Sequence, residues 1–301
     1  MGYQNLIIQG KADLSIKDSQ LVIETGEVAK IPIEDINSLM IENLATTVSA
    51  YMLQSLADEG VAVYVCNRQH IPNTVVLPLN KHSRHYAMLK KQIELGKPLQ
   101  KRLWQRLVAQ KIHNQARCLE INGLDGYEDL YRMKKEVQSG DSSHVESKAA
   151  AFYFNHLFGA GFSRGEEHVV NAALNYGYAI VRGLIARSVV NYGFEPSIGL
   201  FHRSEQNAFN LADDLIEPFR PVVDLLVFTY FSYDDDDIGL NHERKMRLVN
   251  VMNLDVLVRS EKHILSHAID MEVASLNSSF LDKEERLVLP ELMNLQEHSY
   301  E

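Results

Sequence analysis

Cysteine is nearly absent from this chain of 301 residues: there are two, Cys66 in VAVYVC and Cys118 in QARCLEI. Each sits among apolar neighbours and reads as a small buried hydrophobe, so neither a disulfide framework nor a thiolate zinc site is supported. Long hydrophobic runs are missing as well. No apolar stretch approaches the ~20 residues needed to cross a bilayer, and the opening MGYQNLIIQGKADL lacks the basic flank and apolar core of a secretory signal. Leu6 occupies the position where a myristoylation motif needs Ser or Thr. These absences exclude the disulfide-rich secreted and membrane-spanning classes, so a globular, cytoplasmic protein with no membrane partner is expected. With 46% hydrophobic and 23% charged residues, the chain can bury a substantial core, and its length favours two domains.

Positive charge is also in short supply, with 30 Lys and Arg against 40 Asp and Glu and a formal net charge of -10. That balance is awkward for a nucleic-acid protein, because phosphate neutralisation normally supplies most non-specific affinity. The distribution matters more than the sum. Between Lys81 and Lys111 stand nine Lys or Arg against the single acid Glu94, while acidic residues concentrate elsewhere, notably at Asp234 to Asp237. Taken alone, the basic stretch is an ordinary solvated helix face. The four aspartates read as a solvated loop, since adjacent carboxylates cannot all face one ion without a specific turn and the Gly and Glu spacing of an EF-hand is missing.

Residues 1–80 read as β-rich. LIIQGKADLSI, QLVIETGEVAKIPI and INSLMI mix β-branched residues with turn formers, and Ala12, Leu14 and Ile16 alternate with Asp13 and Ser15 as a half-buried strand requires. One helix interrupts them: TTVSAYMLQSLADEG places Val48, Met52, Leu53 and Leu56 on one side and ends at Gly60, a plausible cap. VAVYVC follows as a strand covered on both faces, and Pro72, Pro78 and Asn80 mark the exit. From about His85 the spacing becomes helical. Pro98 fits a helix start, with Leu99, Leu103, Leu107, Ile112, Ala116 and Leu119 forming one apolar face. A second long helix runs from Val170 through Ala173, Gly177, Ile180, Val181, Leu184 and Ile185 and stops at Gly193 and Pro196. PVVDLLVFTYF fits a buried helix or a strand equally well. The expected fold is α+β: a β-rich domain over 1–80, then an all-helical domain over 81–301.

Three residues stand out as potential metal ligands: Glu146 in SSHVESKAAAFYF, His202 in GLFHRSEQN and Glu217 in LADDLIEPFRPVVD. Two carboxylates and one imidazole form a mostly hard set that suits Mg²⁺ or Mn²⁺. Each also has a structural reading. Ser143 and Glu146 form the S-x-x-E of a capping box, and His202 could be a core histidine bonded to a carbonyl. Glu217 follows Asp214 by three residues, so one helix would put both carboxylates on one face, with Arg220 offsetting their repulsion.

The ordered segments around these residues, VESKAAAFYF, ALNYGYAI, GLFH and LADDLIEPFRPVVD, closely resemble the helical catalytic domain of the CRISPR-associated spacer-acquisition integrases. IPIEDINSLMIEN, TTVSAYMLQSLADEGVAVYVCN and WQRLVAQKIHNQA are similar to that family's β-domain and first long helices, in the form found in type II systems. Nearly the whole chain takes part. The resemblance implies that Glu146, His202 and Glu217 are catalytic and bind a divalent metal, Mg²⁺ or Mn²⁺, and that Asp214 is a supporting acidic position. Ser147 departs from the glycine often found after the glutamate, and the third ligand is Glu rather than Asp. The implied activity is integration and cleavage of DNA by attack of a 3′-hydroxyl on a phosphodiester, with no covalent protein nucleophile. The implied partners are duplex and branched DNA, a second copy of the chain joined through the β-rich region, a small ferredoxin-like adaptation subunit and other CRISPR proteins. Lys90, Lys91, Lys101, Arg102 and Arg203 are candidates for phosphate contact, Arg203 with a salt bridge to Asp213 or Asp214 as its alternative. Two other classes fit parts of the pattern. A small-molecule phosphohydrolase explains the ligands and the acidity, and a non-catalytic DNA-bridging scaffold explains the basic helix.

Overall fold

Alternation in the first third of the chain builds strands. The structure, a computed structural model, describes residues 4–68, 72–77, 84–231 and 239–299; Pro78, Asn80, Lys81 and Asp234 to Asp237 lie outside them. It divides into two units, Met1–His85 and Tyr86–Glu301, and is mixed α+β.

In the first unit β1 (Gln4–Ile8), β2 (Asp13–Lys17), β3 (Gln20–Glu24), β4 (Val28–Pro32), β5 (Ile36–Ile41) and β6 (Thr47–Val48) precede helix α1 (Ala50–Glu59), which is followed by β7 (Ala62–Cys66) and β8 (Pro72–Val76). One sheet has the order β1-β5-β7-β8 and the other β4-β3-β2-β6. β5 runs parallel to β1 and β7, which is why every residue of INSLMI is buried. β2 and β3 pair antiparallel through Asp18 and Ser19, both at positive φ as a primed hairpin turn requires. Ser49 caps α1 by accepting from Met52 N, and Gly60 closes it at φ 80°. Met52 and Leu56 then fill a core with Leu14, Leu21, Leu39 and Val63; Val48, expected on the same helical face, belongs to β6 instead.

The second unit opens with α2 (His85–Ile93), α3 (Lys97–Ile121), α4 (Tyr127–Glu136), α5 (Val145–Phe158) and α6 (Val169–Asn191). It continues through α7 (Asn210–Leu215), a 3₁₀ turn at Glu217–Phe219, α8 (Arg220–Tyr230), α9 (His242–Val249), β9 (Asp255–Val258), β10 (Glu261–Ile264) and α10 (Leu265–Asp282). PVVDLLVFTYF is thus a helix. It packs against α6 so closely that a Cβ on Gly177 would meet Val223 Cγ1 at 2.5 Å. The unit is not all-helical. β9 and β10 form an antiparallel hairpin turned by Arg259 and Ser260, again both at positive φ, a turn that lacks the Asn-Gly or Asp-Gly signature and so gave no hairpin signal. The predicted stripe on α3 is buried from Leu99 to Leu119, and Cys66 and Cys118 are both buried, as expected of small hydrophobes. Among the described residues no helix is long and apolar enough to cross a membrane.

Candidate active site

The stripe on α3 carries an anomaly. Lys111 continues the i+4 row of Leu99, Leu103 and Leu107, and the fold buries it to 7% exposure. A buried ammonium needs partners, and it has two. Lys111 Nζ donates to Glu146 Oε1 at 2.7 Å and stands 2.5 Å from Glu217 Oε2. It therefore does not belong to the solvated basic face, where Lys90, Lys91, Lys101, Arg102 and Arg106 are exposed.

Glu146 reaches Lys111 because it is not used as a cap. The Ser143–Glu146 capping box does not form: His144, at φ 53°, precedes the helix without a side-chain cap. Asp141 takes that role, accepting from Val145 N at 2.9 Å and Glu146 N at 3.1 Å. Glu217 starts the 3₁₀ turn, which α3 anchors through Asn114 Nδ2 donating to Pro218 O at 2.7 Å. Its Oε1 accepts from Arg220 Nε at 2.8 Å. Burial acts to raise the Glu217 carboxyl, but Arg220 and Lys111 together outweigh it and hold it down at about 2. The pairing therefore stabilises the fold above the ordinary carboxylate range and is lost as pH falls through about 2.

Asp214 and Glu217 do not share a helix face. Asp214 lies in the last turn of α7 and turns to the 200–202 loop, where Oδ2 accepts from Leu200 N at 2.5 Å and Phe201 N at 3.0 Å, and Oδ1 from His202 N at 3.1 Å. The His202 ring Nδ1 lies 2.7 Å from the same Oδ1. A carboxylate only accepts, so Nδ1 carries the proton and Nε2 is the nitrogen left for a ligand. The hydrogen bond that His202 donates to Asp214 raises the ring's pKa first, burial opposes it, and the charges of Asp214, Glu217 and Asp213 add to the rise. Gly199 permits this loop, because a Cβ there would meet His202 O at 2.5 Å and Asp214 Oδ2 at 2.7 Å. Trp104 and Phe201 stack at 4.3 Å, and both meet the His202 ring edge-on.

A cleft of about 390 Å³ opens beside His202, lined by Arg164, Arg182 and Arg220 with Tyr178 and Asp213. Arg182 pairs with Asp213, Nε to Oδ1 at 2.6 Å. Arg203, expected to meet Asp213, Asp214 or phosphate, donates to Gln100 Oε1 at 3.0 Å. Arg164 is held by Asn171 and Asn175 at 2.6 and 2.8 Å and lies over the Tyr178 ring.

The site offers a hard divalent ion a suitable donor set. Two carboxylates already converge on one positive charge, Glu217 Oε2 is buried against the Lys111 ammonium at 2.5 Å, and the imidazole is oriented by a carboxylate as metal-binding histidines usually are. As the side chains stand, no three His, Cys, Asp or Glu among the described residues surround one point at ligand distances; the ammonium of Lys111 lies between the two carboxylates. Lys111 was the residue of this cluster hardest to see in sequence. Its signal is a lysine at helical spacing inside an apolar row.

A family profile described as CRISPR associated protein Cas1 matches residues 6–237. The chain belongs to the Cas1 family. It is 40% identical over 304 residues to the CRISPR-associated endonuclease Cas1 of Neisseria meningitidis serogroup C (strain 8013), with 100% of both chains covered. Among solved structures, a casposase bound to integration product aligns with TM-score 0.76 at 19% identity, covering 95% of this chain and 92% of that one. A Cas6-RT-Cas1–Cas2 complex aligns with TM-score 0.72 at 18% identity, covering 96% of this chain and 36% of that one. At such identities these two likenesses concern the fold alone.

Proposed function

We propose that this Cas1-family chain is a metal-dependent DNA endonuclease and integrase that inserts spacer DNA into a CRISPR array. The observation that carries this reading is the convergence of Glu146, from α5, and Glu217, from the 3₁₀ turn, on a single positive charge beside an imidazole fixed by Asp214. Glu146, His202 and Glu217 would hold Mg²⁺ or Mn²⁺, which when bound would neutralise phosphate charge and polarise an oxygen nucleophile. In strand joining a 3′-hydroxyl oxygen forms a new bond to phosphorus while the bond to the outgoing 3′-oxygen breaks, and the proton lost by the first is gained by the second. Water in place of the hydroxyl gives cleavage.

The chain's own groups suit the remaining tasks. Asp214 keeps the His202 ring turned with Nε2 outward, and the stacked Trp104 and Phe201 form an apolar wall beside it. Arg164, Arg182 and Arg220 bring positive charge to the adjoining cleft, where a phosphodiester needs it. Exposed Lys90, Lys91, Lys101 and Arg102 extend that charge along α2 and α3, with Arg203 nearby on the Gln100 side chain. Opposite-strand attack at a repeat calls for a symmetric assembly, so a homodimer working with a small ferredoxin-like adaptation subunit is the expected form. The Cas1–Cas2 composition of a structural relative supports such a partner.

The test is joining and cleavage of branched DNA with Mn²⁺ and Mg²⁺, run beside a small phosphoester. Glu146→Gln, Glu217→Gln and His202→Ala should each abolish joining while DNA association and dimerisation persist. Double variants should add little, because residues acting as one catalytic unit are strongly non-additive. Near-normal joining in any single variant removes that residue from the catalytic set, and preferential turnover of the small phosphoester overturns the reading.

A further inference from the structure

We propose that Lys111 is a resident counter-cation of the metal ligands, and that its ammonium must leave the Glu146 and Glu217 carboxylates when a divalent ion binds. The inference rests on the ligand set proposed above.

Its basis is occupancy and charge. Lys111 Nζ lies 2.7 Å from Glu146 Oε1 and 2.5 Å from Glu217 Oε2, so it takes one oxygen of each carboxylate that a metal would use. Arg220 Nε takes the other oxygen of Glu217 at 2.8 Å. Two cations thus balance two anions, in a space where the Lys111 and Glu217 side chains are 9% and 4% exposed. Without its ammonium, Glu217 would be a buried carboxylate neutralised only by Arg220, which is costly. With a divalent ion added and the ammonium still in place, the same oxygens would face three units of positive charge at contact distance. One of the two must yield, and the lysine has the means. Its four-carbon stem carries a point charge that can be re-aimed by rotation, whereas the Arg220 guanidinium is a rigid fork, held over the Tyr178 ring at 4.7 Å. Lysine in this position keeps the apo site folded and returns the carboxylates on demand.

The two roles give opposite signs in one measurement. If Lys111 only supported the site, its removal would loosen the ligands and weaken metal binding. If it competes, removal tightens binding. Calorimetric titration of the full chain with MnCl₂, with no DNA present, reads this directly. Lys111→Met should lower the Mn²⁺ Kd about tenfold or more, reduce the metal-free Tm and show a larger metal-induced rise in Tm than wild type. Lys111→Arg, which keeps the charge in a form that grips carboxylates more firmly, should raise the Kd about tenfold. An equal or higher Kd for a folded Lys111→Met overturns the proposal. If Lys111→Met does not fold, Lys111→Arg decides, and an unchanged or lower Kd there overturns it. Glu217→Gln separates this inference from the reading beneath it. Unchanged Mn²⁺ affinity in that variant removes the ligand set and Lys111 together, whereas weakened affinity there with no change in the lysine variants removes the Lys111 inference alone.

Discussion

Asp214 shows how much one side chain can organise. It is fully buried, and its two oxygens accept from three consecutive backbone N–H groups and from the His202 ring. Asp214→Asn replaces one accepting oxygen with a donor, leaving buried N–H groups unanswered at a cost of about 2–4 kcal/mol. His202 should change as well. Its pKa is raised chiefly by the bond to Asp214, and a histidine raised in the folded state contributes stability that is present below its ordinary 6.5 and lost as pH rises through the folded value. The variant should therefore show a lower His202 pKa by NMR titration, and its stability deficit against wild type should be larger at pH 5 than at pH 9. An unshifted titration would mean that Asp214 shapes the loop without setting the ring.

Among the elements, α3 does the most to assemble the site. Its apolar row makes it a central helix, and the polar residues interleaved with that row reach distant segments. Asn114 donates to Pro218 O at 2.7 Å and Pro290 O at 3.0 Å and accepts from Leu292 N at 3.1 Å. One amide thereby ties the Glu217 turn and the C-terminal segment to the helix that carries Lys111. Asn114→Ala should cost about 2–4 kcal/mol, because it strands buried carbonyls rather than merely deleting a contact. Urea unfolding gives the stability change. Mn²⁺ affinity should fall with it, since the turn that presents Glu217 loses its anchor; a stability loss with intact affinity would confine Asn114 to scaffolding.

Taken whole, the chain is acidic, at -10, while α2 and the start of α3 expose Lys90, Lys91, Lys101 and Arg102. The near neighbour of Lys90, Glu94, is 3.9 Å away with both side chains largely exposed, a pairing too weak to silence the charge. DNA affinity should then depend on this local surface rather than on the net charge. Neutralising all four should leave Tm nearly unchanged, weaken duplex and branched DNA binding, and flatten the salt dependence by up to about 0.9 in log–log slope per lost phosphate contact. An unchanged slope would move the DNA path off these helices.

Local patterning fixed a good deal of this architecture. Strand alternation, the stripe on α3, the Gly60 cap and the Pro98 start depend on neighbours within a turn or two, and all are in place. Ordered segments shared with the Cas1 family also marked Glu146, His202, Asp214 and Glu217 as the residues of interest. Partnerships across the chain were invisible. A lysine on an apolar row does not reveal that carboxylates 35 and 106 residues later will meet it, and S-x-x-E does not reveal that Asp141 will cap the helix instead and release Glu146. The divergence of Asp214 from Glu217 follows from the end of α7 and the start of a 3₁₀ turn between them, and the helical state of PVVDLLVFTYF from packing against Gly177. Periodicity is a short-range property and was decided by the sequence itself; which buried charge answers which is a long-range one, and only the tertiary structure, by removing water and bringing distant groups within 3 Å, could decide it.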